Sequence, residues 1–116
     1  MMQKMIFGNV GINWDKNKYD NPLNAKNAIY MLTFKDNSVY IGKAKNVANR
    51  IYQHCTKFKK GNTNKDFAIK RFRNFNLDII DTAKTDIGLS KKEKIYINSA
   101  MKLGYNVLNE AMTSVN

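Results

Sequence analysis

From residue 28 onward the apolar positions recur at the periods of regular structure. Residues 28–34, AIYMLTF, are dense in β-branched and aromatic side chains and predict a strand. Residues 35–38, KDNS, form a turn cluster, because Asp and Asn tolerate tight backbone geometry and hydrogen-bond locally. Residues 39–43, VYIGK, supply the returning strand of a β-hairpin. Asn46 then fits the N-cap of a helix running to about residue 58, with Val47, Ile51, Cys55 and Phe58 on one apolar stripe. A loop containing Gly61 leads to a second, basic helix over about residues 65–73, whose apolar residues include Phe67, Ile69 and Phe72. Residues 77–81, LDIID, predict a third strand. Ser90 opens a last helix to about Leu103, which Gly104 terminates.

The first 27 residues read differently. Residues 9–27 are polar and Asn-rich, with the only proline at Pro22, and are expected to form an irregular arm anchored by Ile12 and Trp14. Met5, Ile6 and Phe7 allow a short strand ahead of it. The domain proper is expected over residues 28–110, with 1–27 as the arm and 111–116 as a frayed tail. Hairpin, two helices, strand and helix in that order make an α+β layout, a small sheet covered by helices.

Composition narrows the function classes. A chain of 116 residues supports one domain with one modest core. No apolar run approaches the roughly 18 residues of a membrane span, and no apolar stretch follows Lys4 as a secretory leader requires, so a cytoplasmic protein is expected. One Cys and one His exclude a disulfide framework and a Cys/His zinc site. The net charge of +11, from 20 Lys and Arg against 9 Asp and Glu, points to a polyanion. An AT-rich coding sequence would inflate Lys, but it would not deplete Glu, which occurs only at Glu93 and Glu110. No acidic residue falls between Asp36 and Asp66, whereas Lys43, Lys45, Arg50, Lys57, Lys59, Lys60 and Lys65 do, and Lys70, Arg71 and Arg73 extend the block. Such a stretch suits phosphate contacts that weaken as salt rises. A membrane surface would want exposed apolar residues opposite the basic ones, and the first helix spends its stripe on the core.

Several residues can carry chemistry. Arg50, His54 and Lys57 share a helix face, where a guanidinium beside an imidazole can bind phosphate and handle protons, although spacing alone favours a solvated rim. Glu93 falls amid the stripe of Leu89, Tyr96, Ile97, Ala100 and Met101, and a carboxylate aimed inward needs compensation. It either closes a capping box with Ser90 or holds a divalent cation in a partly open site. Tyr30 and Tyr40 alternate with Ile29 and Ile41, so both tyrosines are expected on one sheet face.

In order and spacing, Ala28-Ile29-Tyr30, Tyr40-Ile41-Gly42, Arg50, His54, Glu93 and Tyr105-Asn106 together resemble the GIY-YIG nuclease domain. Ala28 replaces the first motif Gly, which marks the chain as divergent. The resemblance covers about residues 28–110 and implies a three-stranded antiparallel sheet flanked by helices. It implies a phosphodiester hydrolase that cuts DNA with one divalent metal, Mg²⁺ or another such as Mn²⁺. By the same resemblance Tyr30 would orient or deprotonate the attacking water, and Tyr40 would bond that water or the phosphate. Arg50 would neutralise phosphoryl charge, and His54 would assist protons near Tyr30. Glu93 would ligate the metal, and Asn106 would position groups around it. Lys43, Lys45, Lys57, Lys59, Lys60, Lys70, Arg71 and Arg73 are the expected DNA contacts. A free tyrosine is a poor base at neutral pH, with a pKa of about 10, so Tyr30 and His54 both stay open as the proton acceptor. The rival expectations are a non-catalytic DNA-binding module on the same scaffold, or a basic protein that binds an acidic protein partner. The nuclease core takes up most of the chain, so target choice is expected from its loops, the arm or a protein partner. A monomer would nick one strand and a homodimer would cut two, in homing, restriction, repair or degradation of phage DNA.

Overall fold

The structure is a computed structural model that describes residues 2–57 and 64–109. The expectations for Phe58, Lys59, Lys60, the Gly61 loop and the tail at 111–116 lie outside the described residues. In chain order the elements are β1 (Met2–Phe7), β2 (Val10–Asp15), a 3-10 turn (Pro22–Asn24), β3 (Lys26–Phe34), β4 (Val39–Asn46), α1 (Val47–Lys57), α2 (Asn64–Phe72), β5 (Asn74–Thr82) and α3 (Asp86–Lys102).

The α+β class and the flanking helices are as expected, but the sheet is larger. It has five strands in the order β1-β2-β5-β3-β4. The expected three, β5-β3-β4, are antiparallel neighbours, while β2 joins β5 in parallel and makes the sheet mixed. The segment expected to be irregular therefore supplies β2, while the short strand allowed at Met5, Ile6 and Phe7 is the end of β1. The signal of β2 is a short alternation, with Val10, Ile12 and Trp14 turned into the core between Gly11, Asn13 and Asp15. β1 returns antiparallel on the outer side, with Met2 opposite Asp15 and Phe7 opposite Val10. The Asn-rich linker after β2 ends in the 3-10 turn, where the Asn21 side chain accepts from the Leu23 amide and Pro22 needs no donor.

The helices divide between the two faces. α1 and α2 cover the face that carries Tyr30, Leu32, Phe34, Phe75 and Leu77, into which Val47, Ile51, Cys55 and Ile69 insert. α3 covers the other face, packing Leu89, Ile97 and Ala100 on Ile29 and Ile41. Phe67, expected among the apolar contacts of α2, is mostly exposed. α3 begins a turn earlier than expected, with the Thr85 hydroxyl accepting from the Gly88 amide as its N-cap. Ser90 is thus inside the helix, and Ser90 and Glu93 do not form a capping box.

The free edge of β4 has two halves. Residues 106–108 run beside its start, where the Val39 amide donates to the Asn106 carbonyl at 2.9 Å and the Leu108 amide to the Val39 carbonyl at 2.8 Å. Its second half, from Lys43 onward, lines a cleft between α1 and α3, where the Lys43 backbone N–H reaches the Glu93 carboxylate. The hairpin ends beneath a side-chain clasp, with Asp36 accepting from both the amide and hydroxyl of Ser38.

The two strands before the linker carry different loads. Ile12 is fully buried, so Ile12→Ala is expected to cost about 2–4 kcal/mol in urea unfolding. Ile6, 57% exposed on the edge strand, should change stability by less than about 0.5 kcal/mol when cut to Ala. Equal small effects at both positions would mean that β2 is not part of the cooperative core.

Candidate active site

The β3–β4 register builds the floor of the site. Tyr30 pairs with Gly42 and Leu32 with Tyr40, which makes the two tyrosines diagonal neighbours on the face covered by α1. Their ring centroids lie 6.3 Å apart. Gly42 is required by close approach, since a methyl there would run into the hydroxyl and ring of Tyr30. On the other side of β3 the register with β5 shifts between Ile29 and Tyr30. The residue that turns its hydroxyl towards α1 thus sits next to an irregularity in the ladder, a device that re-aims side chains.

α1 supplies the second wall. Asn46 ends β4 and caps the helix by accepting from the Asn49 amide at 3.1 Å. That start sets Val47, Ile51 and Cys55 into the core and brings His54 in beside them, buried. The Tyr30 hydroxyl lies 2.6 Å from His54 Nε2. Lys65 of α2 approaches the opposite ring nitrogen, with Nζ 2.8 Å from Nδ1, and stands 5.4 Å from the centroid of Tyr40. Arg50, one turn before His54, is exposed at the front and acts on both tyrosine hydroxyls by charge and hydrogen bonding.

Glu93 arrives from the other side of the sheet. α3 is tied to β5 through Asp81, which accepts from Lys92 at 3.2 Å and from the Tyr96 hydroxyl at 2.8 Å. It is tied to β4 by Lys43, whose ammonium donates to the Ser90 hydroxyl at 2.5 Å, and by Lys45, 3.2 Å from Asp86. Held from both flanks, the helix places Glu93 at the open half of β4. There a cleft of about 490 Å³ is lined by Tyr40, Lys43, Lys45, Asn49, Arg50, Gln53 and Glu93, among others.

Most of the expected site residues converge, with two qualifications. Tyr30 is fully buried and lies behind Tyr40, outside the cleft lining. Asn106 is not among the residues lining the cleft; its side chain is exposed and its carbonyl accepts from the Val39 amide. Asn109 takes the inward position. Its buried amide accepts from the Ile41 N–H at 3.0 Å and donates to the Ile41 carbonyl at 2.5 Å, gripping the middle of Tyr-Ile-Gly. Ala28 is buried in the core opposite Ala44, so the methyl that replaces the motif Gly is packing material. Of the expected DNA contacts, Lys43 and Lys45 line the cleft. Lys70, Arg71 and Arg73 are exposed at or just after α2, outside that lining. The Lys57 side chain, like Lys59 and Lys60, lies outside the described residues.

Burial dominates the electrostatics. It holds the Tyr30 hydroxyl well above the ordinary phenol range, with Tyr40 adding to it and Arg50 opposing. Tyr40 is raised for the same first reason, against the pull of Arg50. His54 is pushed down to about 3 by burial and then by the charges of Lys65 and Arg50. It is a neutral imidazole at physiological pH. Glu93 is raised by burial, with Lys43 and Arg50 working to keep it ionised. It is the one carboxylate among the residues lining the cleft, and no group of three or more His, Cys, Asp or Glu side chains forms a cage among the described residues. One hard carboxylate facing a roomy polar cleft fits Mg²⁺, which keeps several waters and takes few protein ligands.

The depressed His54 pKa has a sign. The unfolded chain takes up a proton near pH 6.5 and the folded one does not, so the unfolded state binds more protons below that pH. Stability from this residue is complete above pH 6.5 and is lost as pH falls towards 3. Between pH 6.5 and 5 the slope should approach about 1.4 kcal/mol per pH unit. It should be largely absent in His54→Gln, and an equal slope in both proteins would show that His54 protonates freely in the fold.

The GIY-YIG catalytic domain model matches residues 26–106. No curated protein and no solved structure matches the chain.

Proposed function

The chain belongs to the GIY-YIG catalytic domain family, a family of nucleases, and from that premise we propose a metal-dependent DNA endonuclease acting at the cleft between β4, α1 and α3. One observation carries the reading. Tyr40, Arg50 and Glu93 reach the same cleft from a strand and two helices on opposite faces of the sheet, with Tyr30 and His54 directly behind.

The roles follow from position. A phosphodiester entering the cleft meets Lys43, Lys45 and the Arg50 guanidinium, whose forked donors suit phosphoryl oxygens. Arg50 is exposed at the front of the cleft, so it neutralises charge as the phosphorus gains a fifth oxygen. Tyr40 presents its hydroxyl to the phosphate or the attacking water. Tyr30, hydrogen-bonded to His54 and acted on by Arg50, orients that water from behind. Glu93 would hold Mg²⁺ or Mn²⁺, whose chemistry there is to stabilise negative charge on the phosphate and the departing oxygen. Asn109 keeps Ile41, and therefore Tyr40 and Gly42, in register. DNA is the partner, within the cytoplasm. No helix among the described residues is long and apolar enough to cross a membrane.

The test is supercoiled plasmid with Mg²⁺ or with EDTA. Wild type should nick only with the metal, and Glu93→Ala should lose nicking while keeping its fold and its salt-sensitive DNA binding. Arg50→Ala should slow cleavage by about 10²–10³-fold. Full Mg²⁺-dependent nicking by Glu93→Ala would remove the metal assignment. Salt-sensitive binding by a wild type that never nicks would favour the non-catalytic DNA-binding module.

A further inference from the structure

Three side chains from three elements form one line that runs inward from the partly buried Lys65 of α2 to the buried His54 of α1 and Tyr30 of β3. Lys65 Nζ is 2.8 Å from His54 Nδ1, and His54 Nε2 is 2.6 Å from the Tyr30 hydroxyl. Both contacts use ring nitrogens, so the state of one fixes the state of the other. An ammonium has three protons and no lone pair, and can only donate. Nδ1 facing Lys65 must therefore be the acceptor. A neutral imidazole carries a single proton, which is then on Nε2, and Nε2–H points at the Tyr30 oxygen.

We infer that Lys65 is a positioning residue that locks His54 in its Nε2–H form, making His54 a hydrogen-bond donor to Tyr30 and not a proton acceptor. The inference rests on the nuclease reading for its consequence but not for its geometry. Burial draws the Lys65 pKa down from its ordinary value, and Asp66, 3.4 Å away, opposes this and favours the ammonium form. The charged or titratable groups that face His54 are Lys65, Arg50, Tyr30 and Tyr40, whose ring packs edge-on against the imidazole at 5.5 Å, and neither cation can accept a proton from the ring. Burial keeps the imidazole neutral.

The consequence concerns the phenol oxygen. Tyr30 accepts from His54 on one side and is acted on by the Arg50 guanidinium on another. With a donor behind it, the hydroxyl must direct its own proton away from His54. Phenolate character on that oxygen is stabilised by the same donors. The arrangement removes His54 as an acceptor for the proton of the attacking water and leaves Tyr30 as an oriented hydrogen-bonding group beside it. Lys65 also lies over the Tyr40 ring, at 5.4 Å from its centroid, so one ammonium braces both tyrosines.

His54 is the only histidine in the chain, so side-chain ¹⁵N NMR of the full-length protein reads its tautomer without assignment ambiguity. Wild type should show protonated Nε2, unprotonated Nδ1 and a slowly exchanging Nε2-bound proton. Lys65→Met should mix the tautomers and speed that exchange. It should lower kcat for Mg²⁺-dependent nicking by roughly 10–100-fold, the range typical of orienting partners, with KM for DNA little changed. Lys65→Arg, which restores a donor, should recover the tautomer and most of kcat, an outcome that loss of packing alone would not give. If Lys65→Met does not fold, Lys65→Gln replaces it, and the wild-type spectrum needs no variant. A proton on Nδ1 in wild type overturns the inference, as does an unchanged tautomer and kcat in folded Lys65→Met. A wild type with the Nε2–H tautomer that does not nick overturns the nuclease reading and supports the tautomer lock.

Discussion

The site depends on the contact between the Tyr30 ring and the bare backbone of Gly42. The antiparallel register sets these two residues opposite each other, and the absence of a side chain at Gly42 lets the phenol lie across the strand towards α1. From that position the hydroxyl meets His54, and the ring backs Tyr40. Any side chain at Gly42 would push the ring out of line, with the hydrogen bond to His54 and the packing of Tyr40 going with it. The hairpin is therefore the datum from which the helices are measured, and Asn109 fixes that datum by holding both polar groups of Ile41. A buried amide satisfied on both sides by one backbone residue is costly to move, because either half left unpaired would carry a desolvation penalty.

Burial and charge then divide the labour between the two tyrosines. Tyr40 is half-buried on the cleft wall, and Tyr30 is sealed behind it. Desolvation makes a phenolate costly at either position, and Arg50 is the group that opposes it at both. A neutral His54 adds directed hydrogen bonding without adding net charge. The inner part of the site is thus dry and held in place by hydrogen bonds, while the outer part is basic and open to a polyanion. That gradient suits a reaction whose substrate is charged but whose proton movements need fixed geometry.

Much of this was legible in the sequence, and the parts that were not have identifiable causes. The hairpin, the Asn46 cap, the α1 stripe and the inward face of Glu93 all follow from local periodicity. β2 was hidden because three apolar residues alternate within an Asn-rich run, and a strand that short is recognised only when a neighbour receives it. That neighbour, β5, lies far along the chain and pairs in parallel, so no turn announces the partnership. Ser90 imitates the start of α3, because a Ser followed by a Glu three residues later has the pattern of a capping box. Thr85 does the capping instead, and Ser90 receives Lys43. Asn106 and Asn109 look alike on paper. Only the short bridge of Val39 to Val107 decides which one turns inward. Lys65 carried no local mark, being one cation in a basic block, and its distinction is the imidazole nitrogen it reaches.

Glu93 poses the remaining physical question, since a carboxylate in the cleft proposed to take phosphate opposes the binding of phosphate. Lys43, Arg50 and Lys94 keep it ionised against burial, and each cation it engages is partly withdrawn from the substrate. A cleft built for affinity alone would have an amide or another lysine at that position. Two like charges drawn together in a half-desolvated space repel strongly, so the position makes sense when a divalent cation lies between them. Interactions that oppose ground-state binding are worth keeping where they are repaid at the transition state. The anchoring of α3 on both flanks, by Asp81 on one side and by Lys43 and Lys45 on the other, holds the carboxylate in that unfavourable place. A merely structural acid on a surface helix would not need such support.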